Sequence, residues 1–462
     1  MNYGIEIYNN NEKNSFYSIL KKSYNYSDIK LAESLYNDDE EEEERIYEMQ
    51  DDDLLLGFKN KMFRRGEEVV VNIKLIDENN ELKSRNFLII GKKGSGKSVM
   101  GAVVADMFIN KFKTPVFAID PFGEMHVKYK EFFYDGEERY LEYLDSFLKY
   151  YNLKRRGLKL TVIAPAFIGE QRGVNFYYKL SYKTVKEMIK YDSGQMRGIL
   201  SRMLGIKDNV ANMDLLAMVM SDVKINTWND LLRSMSRSKD SKVRIIFSSI
   251  NAKLKMGVLT NDEKEDIDLC KLMMDNQMVI FKSRIRTEVD DDYDTLIYNS
   301  FLELCLFQLT TYMTRHLEGL SSKLQSDNGI LIVIDEADSV APAVGNCSIR
   351  NPIVQLATKW RKSLFNIILM VQSATKLDPT FSSQSDYLIG YKSENINKQV
   401  LLDRGISEEV FKEVLTELKQ EQTTIVNTKV NECFIIGMNN EIKICTPMFP
   451  LADIYRNVRK FK

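Results

Sequence analysis

The sequence predicts an α/β fold built on a doubly wound, mostly parallel sheet. Short apolar runs, of the kind that form buried parallel strands, alternate with segments of helical spacing. Polar residues follow several of these runs directly, as they do where parallel strands end at a ligand-binding edge. A glycine-rich octapeptide stands between one such run and an amphipathic helix. Together these three observations indicate the α/β class.

The elements follow from the positions of the apolar runs. The predicted strands are 69–71, 73–76, 86–90, 116–119, 160–164, 278–281, 329–334, 366–371 and 387–389. Apolar residues recur at helical spacing from Val99 to Phe108, directly after the glycine-rich octapeptide. The long stretch 182–274 is predicted to be mostly helical.

Charge is distributed unevenly along the 462 residues. Lys and Arg total 64 and Asp and Glu total 66, for a net charge of −2. Residues 38–53 hold eleven acidic residues and one arginine, a net of −10, so the rest of the chain carries +8. Basic clusters at 154–156, 233–244 and 456–462 are candidates for a nucleic-acid surface, although solvated charged faces are an equally good interpretation.

Composition excludes several functional classes. Two histidines in the whole chain make a zinc site or a His-based triad improbable. Five widely spaced cysteines fit reduced thiols in a cytoplasmic protein. No apolar run approaches the 18 residues of a membrane span, and the polar N-terminus lacks the apolar core of a signal peptide.

The octapeptide is the strongest motif. It reads Gly91-Lys92-Lys93-Gly94-Ser95-Gly96-Lys97-Ser98 and fits GxxxxGK[ST], the pattern of a phosphate-binding loop. Glycines let backbone amides converge on phosphate oxygens, and the following helix, from Val99, adds its N-terminal partial charge. Lys97 is predicted to reach the β- and γ-phosphates and Ser98 to ligate Mg²⁺. ATP and Mg²⁺ are therefore the expected cofactors.

A second motif follows the apolar run 330–334, which ends in Asp335 and Glu336. Asp335 is predicted to hold Mg²⁺ through water, and Glu336 to accept a proton from the attacking water. Hydrolysis needs both roles, because the metal offsets phosphate charge while the base orients the nucleophile. Alone, acids after a buried strand are a weak signal; paired with the glycine loop they predict a hydrolase.

Two further strand ends carry candidate site residues. Gln372 follows the run 366–371 and is predicted to sense the γ-phosphate, with a surface glutamine as the alternative. Asp120 and Glu124 flank the turn after the second strand, where a carboxylate can face the nucleotide. An ordinary turn explains this second segment equally well.

Taken in order, the segments GKKGSGKS, VFAIDPFGEM, ILIVIDEAD and KWRKSLFNIILMVQSA resemble the HerA/FtsK family of P-loop motor ATPases, of the ASCE class with a RecA-like core. The resemblance spans about residues 69–459. It implies that Lys97 and Ser98 bind phosphate and metal, that Asp335 and Glu336 are the Walker B aspartate and catalytic base, and that Gln372 is the sensor. Arg361 occupies the position of an arginine finger, with Lys362, Arg284 and Arg286 as competing candidates.

The resemblance implies an ATP-hydrolysing, ring-forming translocase, helicase-like and typically hexameric, that moves double-stranded DNA. A viral or plasmid DNA-packaging or transfer ATPase uses the same chemistry on another cargo. A nuclease or other DNA-processing enzyme is a conceivable partner. Two other classes stay open, a nucleotide-switched assembly protein and a protein-translocating ATPase. Glu336 argues against a pure switch, which needs no poised base.

The motifs divide the chain into predicted parts. Residues 1–53 are a polar and acidic flexible arm, and 54–85 a small β element. Residues 86–135 and 275–462 form the RecA-like core. Asp335 stands 238 positions after Lys97, so residues 136–274 are predicted to be a mainly helical insertion between the second strand and the Walker B strand.

Overall fold

The structure is a computed structural model of the 462-residue chain. It describes residues 53–59, 67–72, 83–120, 159–170, 173–190, 194–206, 210–222, 224–266, 268–275, 277–282, 292–317, 329–344, 347, 349–359, 364–392, 400–401, 404–418, 422–423 and 429–447. All of them belong to one unit, made of residues 51–135 and 156–462. The predicted arm before residue 53 and the predicted strand 73–76 lie outside the described residues.

Eight of the sixteen strands in the described residues coincide with predicted apolar runs, and the other eight were not predicted. The sixteen strands are β1 (Asp53–Lys59), β2 (Glu67–Asn72), β3 (Asn86–Ile90), β4 (Val116–Asp120), β5 (Leu160–Pro165), β6 (Phe176–Tyr178), β7 (Leu180–Ser181), β8 (Leu259–Thr260), β9 (Met278–Lys282), β10 (Ile330–Ile334), β11 (Phe365–Val371), β12 (Tyr387–Tyr391), β13 (Gln422–Thr423), β14 (Lys429–Val430), β15 (Cys433–Ile436) and β16 (Ile442–Pro447).

The helices of the described residues fall mostly between β4 and β10. They are α1 (Lys97–Asn110), α2 (Tyr182–Lys190), α3 (Gly194–Leu204), α4 (Val210–Met220), α5 (Trp228–Met235), α6 (Ser241–Met256), α7 (Leu269–Asp275), α8 (Asp292–Leu317), α9 (Arg350–Thr358), α10 (Pro379–Gln384) and α11 (Glu408–Glu417). Helices α2 to α7 confirm the predicted helical stretch, while β5, inside the predicted insertion, pairs with β9 in the main sheet.

Twelve of the described strands form one mixed sheet in the order β2-β1-β16-β15-β12-β3-β11-β10-β4-β9-β5-β6. From β12 to β6 all neighbours are parallel. From β12 to β2 all neighbours are antiparallel. This confirms the predicted α/β class with a mostly parallel sheet. It also places β11 between the strand before the glycine loop and β10, which is the RecA-like order.

The central parallel strands are apolar along their whole length because neither face meets water. Every residue of β3, β10 and β11 is buried. Helix α1 packs against these strands, and Gly101 permits the close approach, since a Cβ there would lie 2.4 Å from Met370 Sδ. Uninterrupted apolar strands of this kind belong to sheets covered on both faces. The packing fixes where α1, and with it the glycine loop, begins.

The antiparallel side of the sheet joins the two ends of the described chain. Strand β1 pairs with β16, where Gly57 faces Pro447. A Cβ on Gly57 would lie 2.1 Å from the Thr446 carbonyl oxygen, so only glycine fits this approach. The strands of the predicted small β element at 54–85 therefore extend the central sheet, and the division of the chain into domains stays a prediction.

Candidate nucleotide-binding site

The strand order brings the polar residues at the ends of four parallel strands to one edge of the sheet. Strand β3 runs into the glycine loop, β11 into Gln372, β10 into Asp335 and Glu336, and β4 ends at Asp120. Since β3, β11, β10 and β4 are consecutive neighbours, these residues lie about 4.8 Å apart from strand to strand. Sequence reasoning predicted each of these strand ends, and the structure brings them together.

The glycine loop is folded back over the end of β3. The Gly91 N–H donates to the Val371 carbonyl over 3.2 Å, and the Ser95 N–H donates to the Lys92 carbonyl over 3.1 Å. Gly94 and Gly96 have φ values of 79° and 109°, in the left-handed region that favours glycine. Among the described residues, no heavy atom would lie within 4 Å of a Cβ on Gly94.

This loop suits a phosphate group. Lys92, Lys93 and Gly94 are exposed, while the Ser95 hydroxyl is buried without a hydrogen-bond partner in the described chain. Lys97 is buried, and its Nζ donates to the Lys92 carbonyl over 3.3 Å, so the ammonium spans the mouth of the loop. The open backbone, the buried cation and the start of α1 supply the charge and donors that an oxyanion needs.

Ser98 and Asp335 have the donor chemistry of a Mg²⁺ site. The Ser98 hydroxyl donates to Asp335 Oδ2 over 3.3 Å, and Asp335 is buried. The Asp335 N–H donates to the Ile119 carbonyl over 3.2 Å, which fixes this residue to β4. Mg²⁺ prefers oxygen ligands and takes few of them from the protein beside substrate phosphates. The oxygen chemistry of these two side chains therefore fits the ion.

Glu336 and Gln372 form a hydrogen-bonded pair beside Ser98 and Asp335. The Gln372 side-chain amide donates to both carboxylate oxygens of Glu336, each over 3.1 Å. Glu336 has a φ of 46°, a left-handed conformation that is rare for a residue with a side chain. Strained backbone of this kind is often found where a side chain must be aimed for function. The Glu336 carboxylate is half-buried, so it can still meet water.

The loops that carry Glu336 and Gln372 are tied to each other. The Ala343 N–H donates to the Lys376 carbonyl over 2.8 Å, and the Asp378 N–H donates to the Ala341 carbonyl over 3.0 Å. Asp378 also pairs with Arg350 of α9 at 2.6 Å. Although burial acts to raise it, the pKa of Asp378 is lowered by hydrogen bonds from Thr380 and Arg350. These contacts join the two loops directly.

A second charged pair extends the same edge. Asp120 of β4 lies opposite Lys282 of β9, and both residues are buried. Burial lowers the pKa of the Lys282 ammonium, and the Asp120 carboxylate opposes this shift. Because Ile119 and Ile334 are register partners, Asp120 lies beside Asp335. Lys282 thus offsets part of the negative charge of two neighbouring carboxylates.

Two side chains, one in β12 and one just before β15, hold the glycine loop. The Tyr391 hydroxyl, at the end of β12, donates to the Gly96 carbonyl over 3.0 Å. The Asn431 amide, just before β15, donates to the Ser95 carbonyl over 3.1 Å. Sequence reasoning missed these residues and Lys282. The strand-end rule could have found Lys282 and Tyr391, whereas no sequence signal marks Asn431.

Not every predicted site residue falls within the described chain. Gly91 to Val99, Asp120, Asp335, Glu336 and Gln372 do, and they share one sheet edge. Glu124 and Arg361 lie outside the described residues, as do the competing finger candidates Lys362, Arg284 and Arg286. Their predicted roles stay predictions.

Comparison with known proteins gives structural likenesses alone, since no family model and no curated protein sequence matches the chain. The genome packaging NTPase B204 of Sulfolobus turreted icosahedral virus 2, with ATP-gammaS, is 11% identical over 79% of this chain and 98% of its own, with a TM-score of 0.31. VirB4 of Thermoanaerobacter pseudethanolicus is 13% identical over 86% and 96%, with a TM-score of 0.43. The plasmid coupling protein TrwB, with GDPNP, is 12% identical over 79% and 85%, with a TM-score of 0.35.

With TM-scores below 0.5, assignment of the fold rests on the strand order and the loop. A glycine loop between a buried strand and a helix, with the Asp-Glu strand two places away in the sheet, defines the fold of a P-loop NTPase. This is the fold that the resemblance to HerA/FtsK ATPases implies. In the described part of the chain, none of the helices combines the length and apolarity needed to cross a bilayer.

Proposed function

We propose that the protein is an ATP-hydrolysing motor that moves double-stranded DNA. The observation that carries the ATPase part is the arrangement at one sheet edge of two pairs, Ser98 with Asp335 and Glu336 with Gln372. The first pair suits a Mg²⁺ ion, and the second suits a base that is held ready beside it. A nucleotide-binding protein that does not hydrolyse its ligand has no use for the second pair.

The proposed mechanism assigns one role to each of these residues. The loop amides and Lys97 hold the β- and γ-phosphates, while Ser98 and Asp335 hold Mg²⁺, which offsets phosphate charge when bound. Glu336 takes a proton from the attacking water. Gln372 aims the Glu336 carboxylate, and β11, the strand before it, lies between β3 and β10. If hydrolysis changes the hydrogen-bond partner of Gln372, that change would be transmitted to the two loops that are joined at Asp378.

The ATPase proposal is tested by replacing the loop lysine. Lys97→Ala removes the buried cation, and ATP affinity should fall about 100-fold or more, since a phosphate-binding charge is removed. Equilibrium titration with a fluorescent ATP analogue measures this affinity. Lys412→Ala is the control, because Lys412 is an exposed lysine of α11, outside the loop. Equal affinities of the Lys97→Ala variant and the unmodified protein would contradict the proposal.

The DNA part is supported by a basic segment that runs from the end of α5 into the start of α6. Residues 233–244 hold five basic residues and one acidic residue. All five basic residues are exposed: Arg233, Arg237, Lys239, Lys242 and Arg244. Arg233 has a nearby counter-ion, Asp230 at 3.8 Å, and Asp240 caps α6 through the Lys242 N–H. An exposed cationic corner of this kind binds phosphate backbones without regard to sequence.

The salt dependence of DNA binding tests this segment. Changing Arg237, Lys239 and Lys242 to Gln should reduce the slope of log affinity against log salt by about one unit for each DNA phosphate that the protein no longer neutralises. Fluorescence anisotropy with a duplex of arbitrary sequence measures the slope. Lys412→Gln, an exposed lysine of α11 that pairs with Glu408, is the control. An unchanged slope would assign DNA binding to another surface.

Ring assembly and the cargo are the finer parts of the proposal. B204 is a genome packaging NTPase and TrwB a plasmid coupling protein by their names, so a viral packaging or plasmid transfer motor is the nearest variant. Particle mass and ATPase rate, each measured with and without duplex DNA, separate these ideas. A hexamer whose rate rises with DNA supports the motor. A monomer whose rate is unchanged by DNA but raised by polypeptide supports a protein translocase.

A further inference from the structure

The glycine loop is anchored by β12 and by the segment before β15 through two consecutive carbonyl groups. The carbonyl of Ser95 accepts from Asn431, and the carbonyl of Gly96 accepts from Tyr391. The Gly96 carbonyl also accepts the first bond of α1, from the Met100 N–H over 3.0 Å. A carbonyl oxygen has two lone pairs, so both donors are accommodated.

The direction of these carbonyls sets the direction of the amides that matter for phosphate. In a trans peptide unit the N–H of one residue points opposite to the C=O of the residue before it. Drawing the Ser95 carbonyl toward Asn431 therefore turns the Gly96 N–H the other way. Drawing the Gly96 carbonyl toward Tyr391 does the same for the Lys97 N–H. These amides then face away from the anchor, on the side of the loop that is open.

The Tyr391 ring is also the surface on which the loop lies. A Cβ on Gly91 would be 3.1 Å from Tyr391 Cβ, and a Cβ on Gly96 would be 3.2 Å from the Tyr391 hydroxyl. The glycine loop therefore packs against the Tyr391 side chain at both Gly91 and Gly96. Tyr391 is 1% exposed, and burial raises the pKa of its phenol well above the usual value, so it remains a protonated donor.

We infer that Tyr391 and Asn431 are positioning residues of the phosphate site, acting through the peptide units of Ser95 and Gly96. This inference rests on the proposed function, since the ligand is the phosphate chain of a nucleotide. Tyr391 ends β12, and Asn431 stands two residues before Cys433 of β15, which is the register partner of Tyr391. The first antiparallel pair of the sheet, β12 with β15, thus contributes to nucleotide binding without touching the nucleotide.

Reciprocity follows from the same contacts. If the anchor prepares the loop for nucleotide, nucleotide must stabilise the anchor by an equal free energy. Amide exchange in β15, which is adjacent to Tyr391 and follows Asn431, should therefore slow when ADP binds. Strands β5 and β6, at the opposite end of the sheet, serve as the internal reference.

Two variants test the inference. Tyr391→Phe keeps the ring and removes the donor, and Asn431→Leu keeps the approximate size and removes the donating amide without adding charge. Each should weaken ADP binding measured without Mg²⁺ by about two- to tenfold, the range for one hydrogen bond. KM for ATP should rise by a similar factor with little change in kcat, because the loop holds substrate and transition state alike. Tyr387→Phe is the control, as Tyr387 stacks on Phe87 at the other end of β12.

The outcomes separate the inference from the proposed function. If the unmodified protein binds no nucleotide, the proposed function fails. If the unmodified protein binds ADP and both variants bind it equally well, the positioning role is overturned while the function stands. A lower melting temperature with unchanged ADP affinity and unchanged KM would show a merely structural role and would also overturn it. Slower β15 exchange with ADP in the unmodified protein, absent in Tyr391→Phe, supports it.

Discussion

The parallel and antiparallel parts of the sheet differ in what their strand ends do. From β12 to β6 the strands run the same way, so their carboxyl ends meet at one edge and gather Ser98, Asp335, Glu336 and Gln372 there. From β15 to β2 the strands alternate in direction, and their ends are divided between two edges. The candidate site residues lie in the first part because parallel strands bring the polar residues at their carboxyl ends to the same edge of the sheet. The strands of the second part complete the sheet on one side, and Asn431, just before β15, supports the glycine loop.

This difference in strand direction predicts a separation of effects. Changes to the residues proposed for hydrolysis should alter turnover and leave the fold intact, whereas changes in β1, β2 and β16 should alter the free energy of unfolding. Three substitutions test the separation.

The largest effect is expected from Glu336→Gln. The amide cannot accept the proton of the attacking water, so kcat should fall about 100- to 10,000-fold while ATP binding persists. Single-turnover hydrolysis and nucleotide titration measure the two quantities. Glu441→Gln, an exposed glutamate in the turn before β16, should change neither. A Glu336→Gln variant with normal turnover would remove the base assignment.

The next effect concerns the antiparallel part. Gly57→Val places side-chain atoms where a Cβ already lies 2.1 Å from the Thr446 carbonyl oxygen and 2.6 Å from Cys445 Sγ. The free energy of unfolding should fall by about 3 kcal/mol, a typical cost of overpacking. Urea denaturation measures it, and kcat per folded molecule should stay the same. Gly194→Ala, where a Cβ meets open space, is the matched glycine control. Full stability of Gly57→Val would show that β1 and β16 are not held this closely.

The smallest of the three effects is expected from a substitution at the parallel edge that alters the free energy of unfolding rather than turnover. Lys282→Met keeps the buried stem and removes the cation beside Asp120. Leaving a buried carboxylate without that neighbour should cost about 2 kcal/mol of unfolding free energy. In the double variant with Asp120→Asn the cost should be smaller than the sum of the single costs. Additive costs would show that the two residues do not interact.

Much of this fold follows from the sequence, for reasons visible in single elements. Strand β3 has the predicted bounds because an unbroken apolar run stops at Gly91. Asp335, Glu336 and Gln372 were predicted because each directly follows such a run. The contacts of Tyr391 and Asn431 with the loop were not, since they join positions 295 and 336 apart. They depend on which strands become neighbours, and local patterns do not encode that order.

The arrangement also dictates when the phosphate site can form during synthesis. Strand β3 emerges early, yet both of its neighbours, β11 and β12, come near the end of the chain. The Asn86 N–H bonds Asp386 Oδ2 over 2.8 Å across a separation of 300 positions. At about 5–20 residues per second, a ribosome needs about 15–60 s to make that segment. A chain truncated before residue 386 would thus have the complete glycine loop and β11, but it would lack β12 and with it the Tyr391 donor.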